Sequence, residues 1–429
     1  MQYQLEQSQW WLLEDLVEQQ FRQLQSLLSH CLRTVPFYRT RLEKAGFATS
    51  SRLTPEIWAR IPLLTREQIQ EAGVALHSTR LSRSHGRTSV TTTSGSTGKP
   101  VSVTKTELDQ LYWQAFTLRD HLWHRRDFTK KLAAIRSVAG GKANYPEGIH
   151  SRFWGKASAA SFATGPLAVL NVVTSVENQA LWLARENPEY LITLPTNLLY
   201  LARHCRQESI SLPKLRHVET LGGVLQPEVR EACREAWDVP VIDTYSAQEV
   251  GYLALQCPDH EHFHVQGESA LVEILDRHGA ACGPGTWGRV VVTPLHNFAM
   301  PLVRYDIGDF AEVGNPCPCG RGLPVIQRIL GRARNMLVLP SGERISPGFV
   351  NDWFDGFPIA QFQIVQRARD HLEVKIVAKR PFTEAEEEAV KKVLLERLGA
   401  AFRITLTYHD GIPRSPDGKY EDFQSEVEA

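Results

Sequence analysis

Residues Thr93-Ser94-Gly95-Ser96-Thr97-Gly98-Lys99 concentrate phosphate-binding chemistry in one short stretch. Glycines let backbone approach a ligand, hydroxyl and N–H groups wrap phosphate oxygens, and lysine adds a point charge. A P-loop requires G-x-x-x-x-G-K-[ST]. Here Gly95 and Gly98 stand too close together and Pro100 follows the lysine, which disfavours a P-loop NTPase. An ordinary Ser/Thr/Gly turn has the same composition. A second constellation comprises Cys257, His260, His262 and His264, followed by Cys317-Pro318-Cys319-Gly320. Cysteine and histidine in such numbers match the tetrahedral donor set of zinc, and a closed four-ligand site leaves no open position for catalysis. If HFHV is a strand, His262 and His264 share one face. The order S-G-S-T-G fails the G-x-S-x-G pattern of a serine-hydrolase elbow.

The elements that must position these residues follow from periodicity. Residues 1–48 read as helix, with Leu13, Val17, Phe21, Leu24, Leu27, Leu28 and Leu32 at helical spacing until Pro36 interrupts. Positions 52–72 read as short helices broken by Pro55 and Pro62. Residues 88–106 read as strand, Gly-rich loop, strand, and 107–125 as an aromatic-rich helix. From 131 to 253, apolar runs such as LAVLNVV and YLITLP alternate with helical stretches, the mark of an α/β architecture with a largely parallel sheet. Residues 254–330 turn strand-rich and resemble a separate β-subdomain. The stretch 331–347 reads as a hinge into a final small α+β unit.

Five further stretches stand in fixed order after TSGSTGKP: LGGVL at 221–225, TYSAQEVG at 244–251, VRYDIGD at 303–309, GRARNMLVLPSGER at 331–344 and PRSPDGKY at 413–420. Together they resemble the adenylate-forming superfamily, and most closely its phenylacetate–CoA ligase-like branch. The resemblance covers most of the chain. It implies a large N-terminal adenylate-forming domain over 1–330, with a β-rich part at 254–330 that holds zinc, and a small mobile α+β domain over 331–429. Such enzymes join a carboxylate to the α-phosphate of ATP, release pyrophosphate, and pass the acyl group to a thiol or another nucleophile.

Carried over residue by residue, the resemblance gives Thr93, Ser94, Gly95, Ser96, Thr97, Gly98 and Lys99 to the pyrophosphate portion of ATP. It sets Gly222 and Gly223 along the adenine face, with Tyr245 lining or stacking on the ring and Ser246 beside it. It gives Glu249 to Mg²⁺, Asp309 to the ribose hydroxyls, and Arg332 to phosphate or ribose. Lys419 would bridge the α-phosphate and the attacking carboxylate. Zinc falls to Cys257, His264, Cys317 and Cys319, with His262 as the alternative histidine. The acyl pocket falls to Arg136, Gly140, Gly141, Ser246 and Ala247. The two glycines leave room there, and Arg136 is available to a second anionic group. Trp113 and Trp123 are either walls for an aromatic acid or core residues.

The chain departs from the family pattern at Ser246 and Gln248, where a glycine and a hydroxyl residue are usual, and at the hinge, where Arg334 and Asn335 replace residues of more negative charge. The expected activity is an AMP-forming ligase acting on an aryl or arylacetic acid, with ATP, Mg²⁺ and coenzyme A as cofactors. The hinge departures keep a second acceptor open: an amine, a sugar or a carrier-protein thiol.

Composition fits this frame. The chain has 429 residues, 42% of them hydrophobic and 22% charged, which excludes collagen-like, disordered and coiled-coil classes. Lys+Arg and Asp+Glu both number 48, a balance that supports neither nucleic-acid nor membrane-surface binding. The seven cysteines are odd in number and thinly spread, and the first residues carry no basic-then-apolar leader pattern. A cytoplasmic protein, monomer or homodimer, acting on a small-molecule carboxylic acid, is the expectation.

Overall fold

The computed structural model describes residues 1–93, 100–138, 140–341, 344–345, 351–354, 356–412 and 422–427. A 12-stranded mixed sheet forms its main body. Edge to edge it runs Ala270–Leu275, Trp287–Pro294, Tyr305–Val313, Val325–Arg332, Phe263–Val265, Gly251–Gln256, Val241–Ala247, His217–Leu221, Tyr190–Thr193, Leu132–Arg136, Leu167–Asn171 and Ile149–Ser151.

Five of these strands, those starting at Leu132, Leu167, Tyr190, His217 and Val241, run parallel. Three of them, LAAIR, LAVLN and YLIT, are near-continuous apolar runs because helices cover them; LAVLN, for example, is buried at its last four positions. The covering helices Val176–Glu186, Pro195–Gln207 and Pro227–Trp237 start where the sequence provides a start: Ser175 caps the first, and proline opens the other two. Their inner faces and the strands share a core around Leu170, Trp182, Leu198 and Val218, all fully or nearly fully buried. Burial of each large side chain of this kind stabilises the fold by about 1.5–3 kcal/mol.

The strands of 254–330 hydrogen-bond into this same sheet and extend it antiparallel. The second core gathers Tyr245, Val290, Val292 and Tyr305 with the N-terminal helices. A helix at Gln2–Ser8 and another at Leu13–Thr34 replace the single long one expected. The break falls where the Gln9 carbonyl accepts the Gly322 N–H instead of a helical partner. The buried stripe of the second helix is Leu16, Gln20, Leu24, Leu27, Leu28 and Cys31, whereas Leu13 and Val17 face outward. Gln20 is tolerated inside because its amide donates to the Gly267 carbonyl at 2.8 Å.

A separate four-stranded sheet, in the order Arg403–Tyr408, His371–Ala378, Ile359–Ala368, Phe423–Ser425, packs on the helix Glu384–Leu398. Thr383 and Glu386 form a capping box at the start of that helix. No helix among the described residues is long and apolar enough to cross a membrane.

Candidate active site and metal centre

The parallel strands end on one side of the sheet, and three groups of site candidates follow those ends directly: Arg136 closes Leu132–Arg136, Gly222 and Gly223 follow Leu221, and Ser246 and Ala247 close Val241–Ala247. In open α/β sheets this carboxyl-end edge is where ligands bind. Arg136 is exposed, and no atom stands within 4 Å of where a Cβ on Gly140 or Gly141 would lie. Gly222 has φ +76°, a left-handed turn that glycine adopts without strain.

Tyr245 is buried, and its hydroxyl donates to Oδ2 of Asp309 at 2.8 Å. Burial, helped by the Asp309 carboxylate, raises the Tyr245 pKa well above its ordinary value and keeps the hydroxyl protonated as a donor. Asp309 lies opposite Arg332 in the pairing of Tyr305–Val313 with Val325–Arg332, and Arg332 Nε stands 3.7 Å from Asp309 Oδ1. Three strands separate the strand of Tyr245 from that of Asp309 in the sheet order, so the sheet curls to bring them together. Gly331 fixes the same approach from the other side. Its φ is +90°, and a Cβ there would come within 3.0 Å of Val224 Cγ2 in the loop after Gly223.

Glu249 follows two residues after Ala247 and is buried, with the Tyr305 hydroxyl at 3.4 Å from its Oε1. The antiparallel hairpin of Thr88–Thr92 and Ser102–Thr106 carries the Gly-rich loop. At its base, Thr93 Oγ1 accepts from Arg66 Nη2 and from the Val101 N–H, both at 3.0 Å. Ser94, Gly95, Ser96, Thr97, Gly98, Lys99 and Lys419 lie outside the described residues. Arg66 belongs to no motif in the sequence, and Tyr305 lies inside VRYDIGD without a role assigned to it; the folded arrangement brings both to this edge.

Cys257, His264, Cys317 and Cys319 converge, with their ligand atoms all within 4.8 Å of one another. Cys257 and Cys317 sulfurs are 3.8 Å apart, and Cys319 Sγ is 3.4 Å from His264 Nε2. None of the three is in a disulfide. Three thiols and one imidazole fit the tetrahedral preference of zinc. Cys257 follows the Gly251–Gln256 strand, His264 is central in Phe263–Val265, and the C-x-C pair precedes Val325–Arg332. His262 has its carbonyl tied to the Cys257 N–H and does not join the four. Burial pushes the Cys317 thiol up to about 12, and a bound cation would hold this sulfur as a thiolate.

Trp123 packs here: it is buried, its ring is edge-on to His264, and its indole N–H donates to Gln9. It is a core residue beside the Cys/His cluster, while Trp113 is 37% exposed near the strand-end edge. Asp120, His121 and Glu219 form another close group, but Arg126 already supplies its cation, with Nη1 at 2.6 Å from Asp120 and 3.0 Å from Glu219. A cleft of about 630 Å³ lined by His217, Arg230, Val241, Gln256 and Cys257 opens at the opposite ends of the parallel strands.

Comparison with known proteins bears on the whole chain and its fold. A phenylacetate-coenzyme A ligase from Thermus thermophilus is 25% identical over 453 residues, covering 95% of this chain and 97% of the relative. One from Pseudomonas putida is 23% identical, covering 76% of this chain and 73% of the relative. The solved structure of a 2-hydroxyisobutyryl-CoA ligase in its postadenylation state superposes with a TM-score of 0.73 at 19% identity, over 95% of this chain and 89% of that one. The chain has the fold of the adenylate-forming enzyme structures, and it resembles the phenylacetate–coenzyme A ligases. Residues 337–425 match the CapK C-terminal domain.

Proposed function

We propose that the protein is an ATP-dependent, AMP-forming carboxylate ligase that makes an acyl-adenylate and transfers the acyl group to coenzyme A. The observation that carries this reading is the Tyr245–Asp309–Arg332 cluster beside the Gly222–Gly223 turn, at the strand ends that also bear Glu249. Sequence relatives named as coenzyme A ligases, one along 95% of the chain and one along 76%, support it.

In the first half-reaction a carboxylate oxygen bonds to the α-phosphorus of ATP, and the bond to the β-phosphate oxygen breaks, so pyrophosphate leaves. In the second, the thiol sulfur bonds to the acyl carbon, AMP leaves, and the thiol proton passes to solvent. Asp309 accepts from the ribose hydroxyls, and Tyr245 holds that carboxylate in place. Arg332 and Lys419 set positive charge where negative charge develops. Magnesium, when bound, would neutralise phosphate charge, and the buried carboxylate of Glu249 is the group to hold it. Cys257, His264, Cys317 and Cys319 would hold zinc as a structural clamp. We read residues 331–429 as the mobile part that delivers Lys419, and 1–330 as the body that binds ATP and the acid. The acid is aryl or arylacetic in this reading.

Arg334 and Asn335 at the hinge motivate a second reading, in which the adenylate goes to an amine, a sugar or a carrier-protein thiol. One assay separates the two: pyrophosphate release from ATP and Mg²⁺ across aryl, arylacetic, amino and fatty acids, with and without coenzyme A. Acid-dependent release stimulated by coenzyme A is the expected result. Release indifferent to coenzyme A would favour the second reading, and acid-independent release would overturn both.

A further inference from the structure

Lys105 lies on the Ser102–Thr106 strand, and its ammonium stands 5.7 Å from the centre of the Trp113 ring. Trp113 in turn packs at 4.7 Å against Tyr252. The Tyr252 backbone is paired with Ser246, a residue of the proposed acyl pocket. Lysine, indole and phenol thus form one wall that runs from the hairpin of the Gly-rich loop to the strand-end edge. Trp113 keeps 37% of its surface exposed, although it lies on a helix whose neighbours Ala115 and Phe116 are buried. Trp113 therefore stays partly open to solvent.

The charge of Lys105 is not matched by this wall. The acids that act on it electrostatically are Asp109 and Glu249. Asp109 is committed to the helix start, where its Oδ2 accepts from the Thr106 N–H and hydroxyl, both at 2.8 Å. Glu249 accepts from Tyr305. Among the described residues, the Lys105 side chain has no hydrogen bond and no ion pair. Burial lowers its pKa, as expected for an ammonium that has lost water without gaining a counter-ion. Its contact with the Trp113 ring is a weak cation–π interaction that does not replace a counter-ion. A half-buried cation beside a partly exposed indole is a complement to an anion attached to a ring.

We propose that Lys105 is a specificity-determining residue of the acyl pocket, selecting an aromatic acid that carries a second anionic substituent on its ring. This rests on the adenylating reading above and names its substrate class. The ring packs on Trp113 and Tyr252, the second anion meets Lys105, and the first carboxylate is left free for the α-phosphate.

The test compares benzoate and phenylacetate with ring-carboxylated and ring-sulfonated counterparts, by pyrophosphate release, in the wild type, Lys105→Met and Lys105→Arg. The expected wild type has higher kcat/KM for the dianions. Lys105→Met shifts the dianion-to-monoanion ratio by at least about tenfold toward the monoanion, and Lys105→Arg keeps the wild-type ratio. An unmoved ratio in Lys105→Met overturns the proposal while leaving adenylation intact. So does an equal loss for every acid together with a raised KM for ATP, which would assign Lys105 to the nucleotide. Acid-independent wild-type release would instead sink the adenylating reading, and this proposal with it. Melting curves verify that the variants are folded, and Lys105→Gln substitutes for a Met variant that is not.

Discussion

The Tyr245 hydroxyl donates to the Asp309 carboxylate across 2.8 Å, although three strands of the sheet separate the strands that carry them. This contact closes the curl of the sheet and orients the acid that Arg332 faces from the neighbouring strand. Tyr245→Phe keeps the ring and removes the donor. A hydrogen bond to a charged group contributes about 1.5–3 kcal/mol, so KM for ATP should rise about 10-fold or more, with a smaller effect on kcat. Steady-state kinetics at saturating acid measure this; an unchanged KM would remove Tyr245 from the nucleotide site.

Lys419→Ala should reduce ATP–pyrophosphate exchange with a competent acid by at least about 100-fold. ATP binding, read by isothermal titration, should remain. Exchange near the wild-type rate would show that another cation serves the α-phosphate.

The metal centre separates His264 from its neighbours. Purified protein should contain zinc, and His264→Ala or Cys319→Ser should lose it and lower the melting temperature by roughly 5–10 °C. His262→Ala should keep the metal. Elemental analysis reads both outcomes, and full zinc occupancy in His264→Ala would dismiss the four-ligand assignment.

Asp243 gives a pH prediction. It is buried on the Val241–Ala247 strand, and burial pushes its pKa from 3.8 up to about 7 against the pull of the Thr220 hydroxyl and Arg230. The folded pKa exceeds the unfolded one, so the folded state binds the proton more tightly. That contribution to stability is complete below about pH 4 and is lost as pH rises through about 7. Asp243→Asn removes the titration. Its melting temperature should therefore fall less than that of the wild type between about pH 5 and 8, and parallel curves for the two proteins would count against the assignment.

Much of this protein is written locally. The alternation of apolar runs and capped helices from 131 to 253 determines five parallel strands and their covering helices, because a buried strand and an amphipathic helix each have their own period. The break at Gln9 and the inward turn of Gln20 were not legible, since both depend on partners about 250 or more residues away, Gly322 and Gly267. Of the four metal-cluster residues, the chain order names three cysteines and leaves three histidines open. Only the pairing of Phe263–Val265 between two other strands turns His264 toward the sulfurs.

The ordered motifs name Tyr245, Glu249, Asp309 and Arg332, but not that they lie on one edge. That is decided by the curl of the sheet and by Gly331, whose missing side chain lets the loop after Gly223 approach. Lys105 had no sequence signal at all, because a lone lysine on a short strand is ordinarily solvated. Its place above Trp113, without a counter-ion among the described residues, exists only once the hairpin packs on the helix Glu107–Trp123. Sequence sets residue chemistry and local periodicity. Which charges lose their water, and which carboxylates find partners, is set by tertiary packing, because desolvation is a property of the assembled surroundings.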